Sequence, residues 1–228
     1  MRNNNLSVAM KKGWEDLHSK ERFQPKYPSD HVVRFVFANF SRNLNERKRI
    51  KILDLGCGAG CHTVFLVKEG FSVYATDISE PGLKVTKKRL KENSLKAVLK
   101  NASMEKQPFE DNFFDGIISF GVFYYNNGAG YQKAVSELYR ILKKGGRAFI
   151  FTRTTDDYRF KKGKETEKNT FVLDIEDTNE KGMAQHFLDK EDIKKVFGKF
   201  EKITIEKAET TFSNLEKKNS DWIIMVQK

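Results

Sequence analysis

The chain has 228 residues, with 42 Lys plus Arg against 31 Asp plus Glu and a net charge of +11. No apolar run approaches the roughly 18 residues a membrane helix needs, no signal-peptide h-region opens the chain, and two cysteines cannot build a disulfide framework or a thiolate cluster. A cytoplasmic α/β protein with no membrane partner and no metal is expected. The charge excess lies in residues 1–150. Its one tight cluster, Arg47-Lys48-Arg49-Lys51, precedes the first strand, whereas ligands of open α/β sheets bind beyond the carboxyl strand ends. Nucleic acid is therefore not the expected partner despite the basic pI.

Met10 to Ser19 predicts a short amphipathic helix carrying Trp14 and Leu17. Glu21 to Tyr27 is a loop, halted by Pro25 and Pro28. Ser29 or Asp30 then caps a helix of His31 to Arg42, with a wide apolar face from Val32 to Phe40. Ile50, Ile52, Leu53 and Leu55 form an apolar run of the kind found in buried parallel strands. Gly56, Gly58 and Gly60 follow it, leading into a helix over Cys61–Lys68. Glycines here permit positive φ and let a ligand approach the backbone. Phe71 to Asp77 alternates as a second strand. Asp77 ends it about 20 residues past the glycine turn, where a carboxylate can accept ribose hydroxyls.

Ser79, Glu80 and Pro81 open a helix over residues 79–91. Ala97 to Leu99 is a short third strand and Phe113 to Phe120 a fourth. Tyr124-Tyr125 leaves that strand at its carboxyl end. Tyr131 to Leu142 is a helix capped by Gly145, and Arg147 to Thr152 is a fifth strand. Beyond Arg153 a polar stretch to Thr170 and a brief apolar run, Phe171 to Leu173, are expected to be a lid or insertion. Asp189 caps a helix of Lys190 to Phe197. Phe200–Glu209 and Trp222–Val226 are the final strands.

The run Asp54-Leu55-Gly56-Cys57-Gly58-Ala59-Gly60, followed by Asp77, resembles the first motifs of the Rossmann-like S-adenosylmethionine-dependent methyltransferases. The resemblance implies a seven-stranded, mostly parallel sheet with helices on both faces, an antiparallel last strand and an N-terminal helical extension over the cofactor pocket. It implies a single domain over 1–228: an N-terminal cap (1–45), a cofactor core (48–152), the lid or insertion (153–188), and a C-terminal helix and strand pair (189–228). The cofactor would be S-adenosylmethionine, leaving as S-adenosylhomocysteine. Its implied contacts are Asp54, Gly56, Cys57, Gly58 and Gly60 in the turn and Asp77 and Ile78 at the ribose. Ala102, Ser103 and Met104 would flank the adenine, with Ser119 and Phe120 under the methionine part.

A sulfonium is already a good leaving group, so the enzyme's main task is orientation. A base is needed only where the acceptor must lose a proton. His186 is the candidate by type, the alternative being a histidine that bonds only the lid. Arg153 either holds an anionic acceptor or pairs with Asp156 or Asp157. Tyr124, Tyr125, Trp14 and Tyr27 are candidate substrate-facing aromatics, with Trp14 otherwise a hydrophobic anchor. Methyl transfer to oxygen or nitrogen of a small polar molecule is the expected activity, by a monomer or small homodimer. An RNA or protein methyltransferase and a non-catalytic cofactor-binding partner are the alternatives. The first is weakened because no Asn/Asp-Pro-Pro-aromatic tetrapeptide occurs.

Overall fold

The computed structural model describes residues 11–176 and 178–228. Residue 10, where the first helix is expected to begin, lies outside them, as does the start of the N-terminal cap. Residues 11–18 are helical (α1) and a short 3-10 turn covers Glu21–Phe23. There follow α2 (Asp30–Asn39), α3 (Leu44–Arg47), β1 (Lys51–Leu55), α4 (Cys61–Lys68), β2 (Ser72–Asp77), α5 (Glu80–Glu92), β3 (Val98–Asn101) and β4 (Phe114–Phe120). The chain continues through α6 (Gly128–Ile141), β5 (Leu142–Arg153), β6 (Gly163–Glu167), β7 (Thr170–Leu173), β8 (Ala184–His186), α7 (Lys190–Val196), β9 (Lys202–Phe212) and β10 (Lys217–Gln227).

Seven strands form one sheet in the order β3-β2-β1-β4-β5-β10-β9. β1, β2, β3, β4 and β5 pair in parallel, and β10 runs antiparallel between β5 and β9. The sheet is covered on both faces because its strands alternate between two apolar sets. On one face Leu53, Leu55, Ile117, Ile150 and Ile224 meet Tyr131, Leu138 and Ile141 of α6 and Ile193 of α7. On the other, Ile52, Ile118, Phe149 and Ile223 meet Val32, Phe35 and Val36 of α2 and Leu66 of α4. Both sets are almost wholly buried.

The helix starts follow local chemistry. Ser79, Asn127 and Asp189 each accept a backbone N–H from the first turn of α5, α6 and α7. Several boundaries differ from the sequence expectation. α6 ends at Ile141, and Leu142 already pairs with Phe114, so β5 starts five residues early across a register shift. Gly145, at φ +74°, serves the turn inside that irregular stretch rather than capping the helix. β9 and β10 are also longer than expected: β9 is largely exposed, and the first half of β10 is polar and only partly buried.

The stretch expected to be a lid or insertion contains a second antiparallel sheet, β6-β7-β8. Phe160, Phe171, Leu173 and Phe187 give it an apolar centre of its own. Strand β6 is fully exposed and charged, which hides it from a search for alternating apolar residues. Asp115, at the start of β4, accepts from Lys51 N at 2.8 Å and from Lys143 Nζ at 2.6 Å, tying three strand starts together.

Candidate active site

A cavity opens at the carboxyl ends of β1, β2 and β4 and is roofed by α1 and the segment after it. Its floor is the glycine turn. Gly56 N and Cys57 N donate to Thr76 O at 2.8 and 3.0 Å, pinning the turn to the end of β2. Gly58, at φ +49°, adopts a left-handed conformation that disfavours a side chain and turns its N–H to Asp77 Oδ2 at 2.8 Å. Ser79 N donates to the other oxygen, Oδ1, at 2.7 Å. Each carboxylate oxygen thus keeps a lone pair for a ligand. Burial pushes the Asp77 carboxyl above the usual range, while these N–H groups and nearby His18 pull it back.

The turn is held from outside as well. Thr86 Oγ1 donates to Gly58 O at 2.8 Å. Arg89 Nη1 donates to Ala59 O at 2.9 Å, and its Nη2 reaches Gln24 O at 2.8 Å. Arg89 therefore couples the turn to the segment bearing Phe23 and Pro25, both cavity residues. Asn101 Nδ2 donates to Asp77 O and Ile78 O, both at 3.0 Å, which brings Ala102 and Met104 beside Asp77.

Of the residues expected at the cofactor, Gly56, Cys57, Gly58, Asp77, Ile78, Ala102, Met104 and Phe120 line the cavity. Asp54, Gly60, Ser103 and Ser119 do not. Asp54 is buried behind the turn and accepts from Thr63 Oγ1 at 2.6 Å, fixing the first turn of α4. Burial pushes its carboxyl up to about 7. A Cβ at Gly60 would lie 2.6 Å from Thr86, so this glycine serves packing between the turn and α5. Ser119 Oγ is buried with no hydrogen-bond partner among the described residues.

Of the expected substrate residues, Trp14 and Tyr125 line the cavity and meet edge to face, with ring centroids 4.6 Å apart. Tyr27 is 83% exposed and lies outside it. Tyr124 packs behind Tyr125, under the Arg153 guanidinium. Arg153 is buried, and its partner is neither Asp156 nor Asp157. Its Nη2 donates to Glu180 Oε1 at 2.8 Å, and Nη1 donates to Gln185 Oε1. Burial alone would push Glu180 up, but Arg153 and Arg159 hold it below the usual carboxylate range. Glu180 also accepts from the Tyr125 hydroxyl. His186 lies away from the cavity, with Nδ1 2.7 Å from Thr170 Oγ1 and its backbone N–H on Tyr124 O at 2.8 Å. These polar groups bind the small sheet to the body.

Two other histidines, His18 and His62, line the cavity. His62 Nε2 accepts from Ser29 N at 3.1 Å. That bond occupies the lone pair and leaves the proton on Nδ1, so the neutral ring is a donor rather than a base. Burial drives its pKa down to about 4. His18 sits one helical turn after Trp14, and the i,i+4 spacing placing both on one face of α1 was the available signal.

These residues fit a ligand with a diol at Asp77, a flat group between Ile78, Ala102 and Met104, and a reactive end beneath Trp14 and Tyr125. The family model described as "Methyltransferase domain" matches residues 52–146. A demethylmenaquinone methyltransferase of Thermus thermophilus is 33% identical over 46% of this chain and 48% of its own. A ubiquinone biosynthesis O-methyltransferase of Pelagibacter ubique is 30% identical over 64% of this chain and 63% of its own. The chain spans about half the length of the curated relatives it matches. Among solved structures, an S-adenosylmethionine-dependent methyltransferase of Methanosarcina mazei superposes with a TM-score of 0.69 at 17% identity, covering 85% of this chain and 96% of the other. One from Clostridium acetobutylicum gives 0.64 at 16% identity, covering 95% and 91%.

Proposed function

Because the chain belongs to the S-adenosylmethionine-dependent methyltransferase superfamily, we propose that it transfers the methyl group of S-adenosylmethionine to a small molecule held under α1. The observation that carries this reading is the convergence of the glycine turn, Asp77 and the aromatic roof on one cavity. Bound there, the cofactor supplies an electrophilic methyl group. Asp77 holds the ribose, and the backbone turn admits the rest at close range. Trp14, Phe23, Phe120 and Tyr125 surround the reactive end with rings, exclude water and fix the acceptor's approach.

This wall suits a flat, ring-bearing acceptor better than the polar or anionic one expected from Arg153 and His186, which are occupied elsewhere. The named activities of the relatives point the same way, toward quinone-type rings, and include carbon as well as oxygen acceptors. The reading is accordingly wider than oxygen or nitrogen transfer. The basic cluster gives little support to a nucleic-acid acceptor. Arg47 is buried and spends its guanidinium on Glu69 Oε2 at 2.8 Å and Ser41 O at 2.7 Å.

The test is incubation with methyl-labelled S-adenosylmethionine and a panel of reduced demethylquinones and catechols, followed by identification of labelled products. Label in a ring-bearing product is expected. Label only in RNA or protein from an added extract would refute the reading.

A further inference from the structure

We propose that His18 is a second ribose-binding residue, and that its Nε2–H and the Asp77 carboxylate together grip one ribose hydroxyl. The inference rests on the cofactor reading above and assigns to α1 a polar contact that the glycine-turn motif does not contain.

His18 is 7% exposed, and no hydrogen bond joins its ring to any described residue; its Nδ1 is fully buried. The ring occupies a seat made by two glycines. A Cβ at Gly58 would lie 3.0 Å from His18 Nε2, and one at Gly82 would lie 2.8 Å from Nδ1. Gly82 stands in the first turns of α5, where glycine weakens a helix, and it takes ordinary helical backbone there. The close approach of the ring and of Gly58 O accounts for it.

The seat decides which nitrogen carries the proton. A buried N–H with no acceptor is rarer than an under-used lone pair. Nδ1 is therefore bare and the proton sits on Nε2. Burial lowers the pKa of the ring, although Asp77 works against it, and favours this neutral form.

Nε2 lies over Gly58, whose own N–H goes to Asp77 Oδ2 at 2.8 Å. A donor and an acceptor thus flank the same glycine at the rim of the cavity. A hydroxyl is the group that satisfies both, accepting from the imidazole and donating to the carboxylate. A carboxylate alone would accept from the two hydroxyls of a diol without distinguishing them. The pair predicts unequal dependence on the 2′ and 3′ hydroxyls.

Calorimetric titration near neutral pH, with S-adenosylhomocysteine and its 2′-deoxy and 3′-deoxy analogues, tests this. His18→Ala should bind S-adenosylhomocysteine about tenfold more weakly than the wild type. The loss should shrink below twofold for one deoxy analogue and persist for the other. His18→Phe keeps a ring in the glycine seat and removes the donor. It should fold as the wild type does by circular dichroism and show the same weakening. Wild-type affinity in His18→Phe, or an equal loss by His18→Ala on both analogues, would overturn the inference while leaving the cofactor reading intact. Failure of the wild type to bind S-adenosylhomocysteine at all would overturn both.

Discussion

Gly58 and Asp77, 19 residues apart, are joined by a backbone-to-carboxylate hydrogen bond of 2.8 Å. The bond makes the shape of the turn and the aim of the carboxylate a single property. Gly58→Ala should disturb both, because alanine at φ +49° is strained by about 1–2 kcal/mol and its methyl would lie 3.0 Å from His18. Gly145→Ala is the matched control: φ is +74° and nothing lies within 4 Å of its Cβ. Denaturant melts should show a similar stability loss in both, with affinity for S-adenosylhomocysteine falling only in Gly58→Ala.

Arg153 and Glu180 form a buried pair that closes the small sheet onto the body. Arg153→Ala should destabilise the protein by about 3 kcal/mol, since it leaves Glu180 and Gln185 partly unpaired. Because Arg153 lies outside the cavity, affinity for S-adenosylhomocysteine in the folded fraction should stay within about twofold. A large affinity loss with unchanged stability would restore the ligand-holding role expected from the sequence.

His62 gives the stability a pH dependence with a definite sign. Its folded pKa, about 4, lies below the ordinary value of 6.5. The unfolded chain therefore binds a proton more readily, and stability is full above 6.5 and lost as pH falls toward 4. Between pH 7 and pH 5 the wild type should lose about 2 kcal/mol more than His62→Gln. Parallel urea titrations of the two proteins check it; identical pH slopes would contradict the buried neutral ring.

Cys57 and Cys61 face the cavity but are poor nucleophiles. Burial pushes the Cys61 thiol up to about 11 and the Cys57 thiol well above its ordinary value. Little thiolate forms near neutral pH. Native protein should react with a thiol-specific disulfide reagent far more slowly than denatured protein, and bound S-adenosylhomocysteine should slow it further.

What the sequence disclosed depended on how local the determining physics was. The glycine turn and Asp77 are legible because one strand, one turn and one strand end build the floor. The alternation of Ile52 with Leu53, and of Ile117 with Ile118, announces a sheet covered on both faces. Arg153 and His186 stayed open between a ligand role and a structural one, because residue type shows that a polar group needs a partner, but not which one. Their partners, Glu180 and Thr170, come from the small sheet, whose first strand is too polar to be read as a strand. His18 was readable in principle from its spacing to Trp14, yet its glycine seat requires β1, α1 and α5 to be assembled.

The most direct measurement is calorimetric titration of S-adenosylhomocysteine, and separately of NAD, into the wild type and Asp77→Ala. The account predicts single-site binding of S-adenosylhomocysteine by the wild type and no heat with NAD. It predicts affinity at least about tenfold lower in Asp77→Ala, as expected from losing charge-assisted bonds worth about 1.5–3 kcal/mol each. Binding of NAD alone, or equal affinity for S-adenosylhomocysteine in wild type and variant, would contradict it.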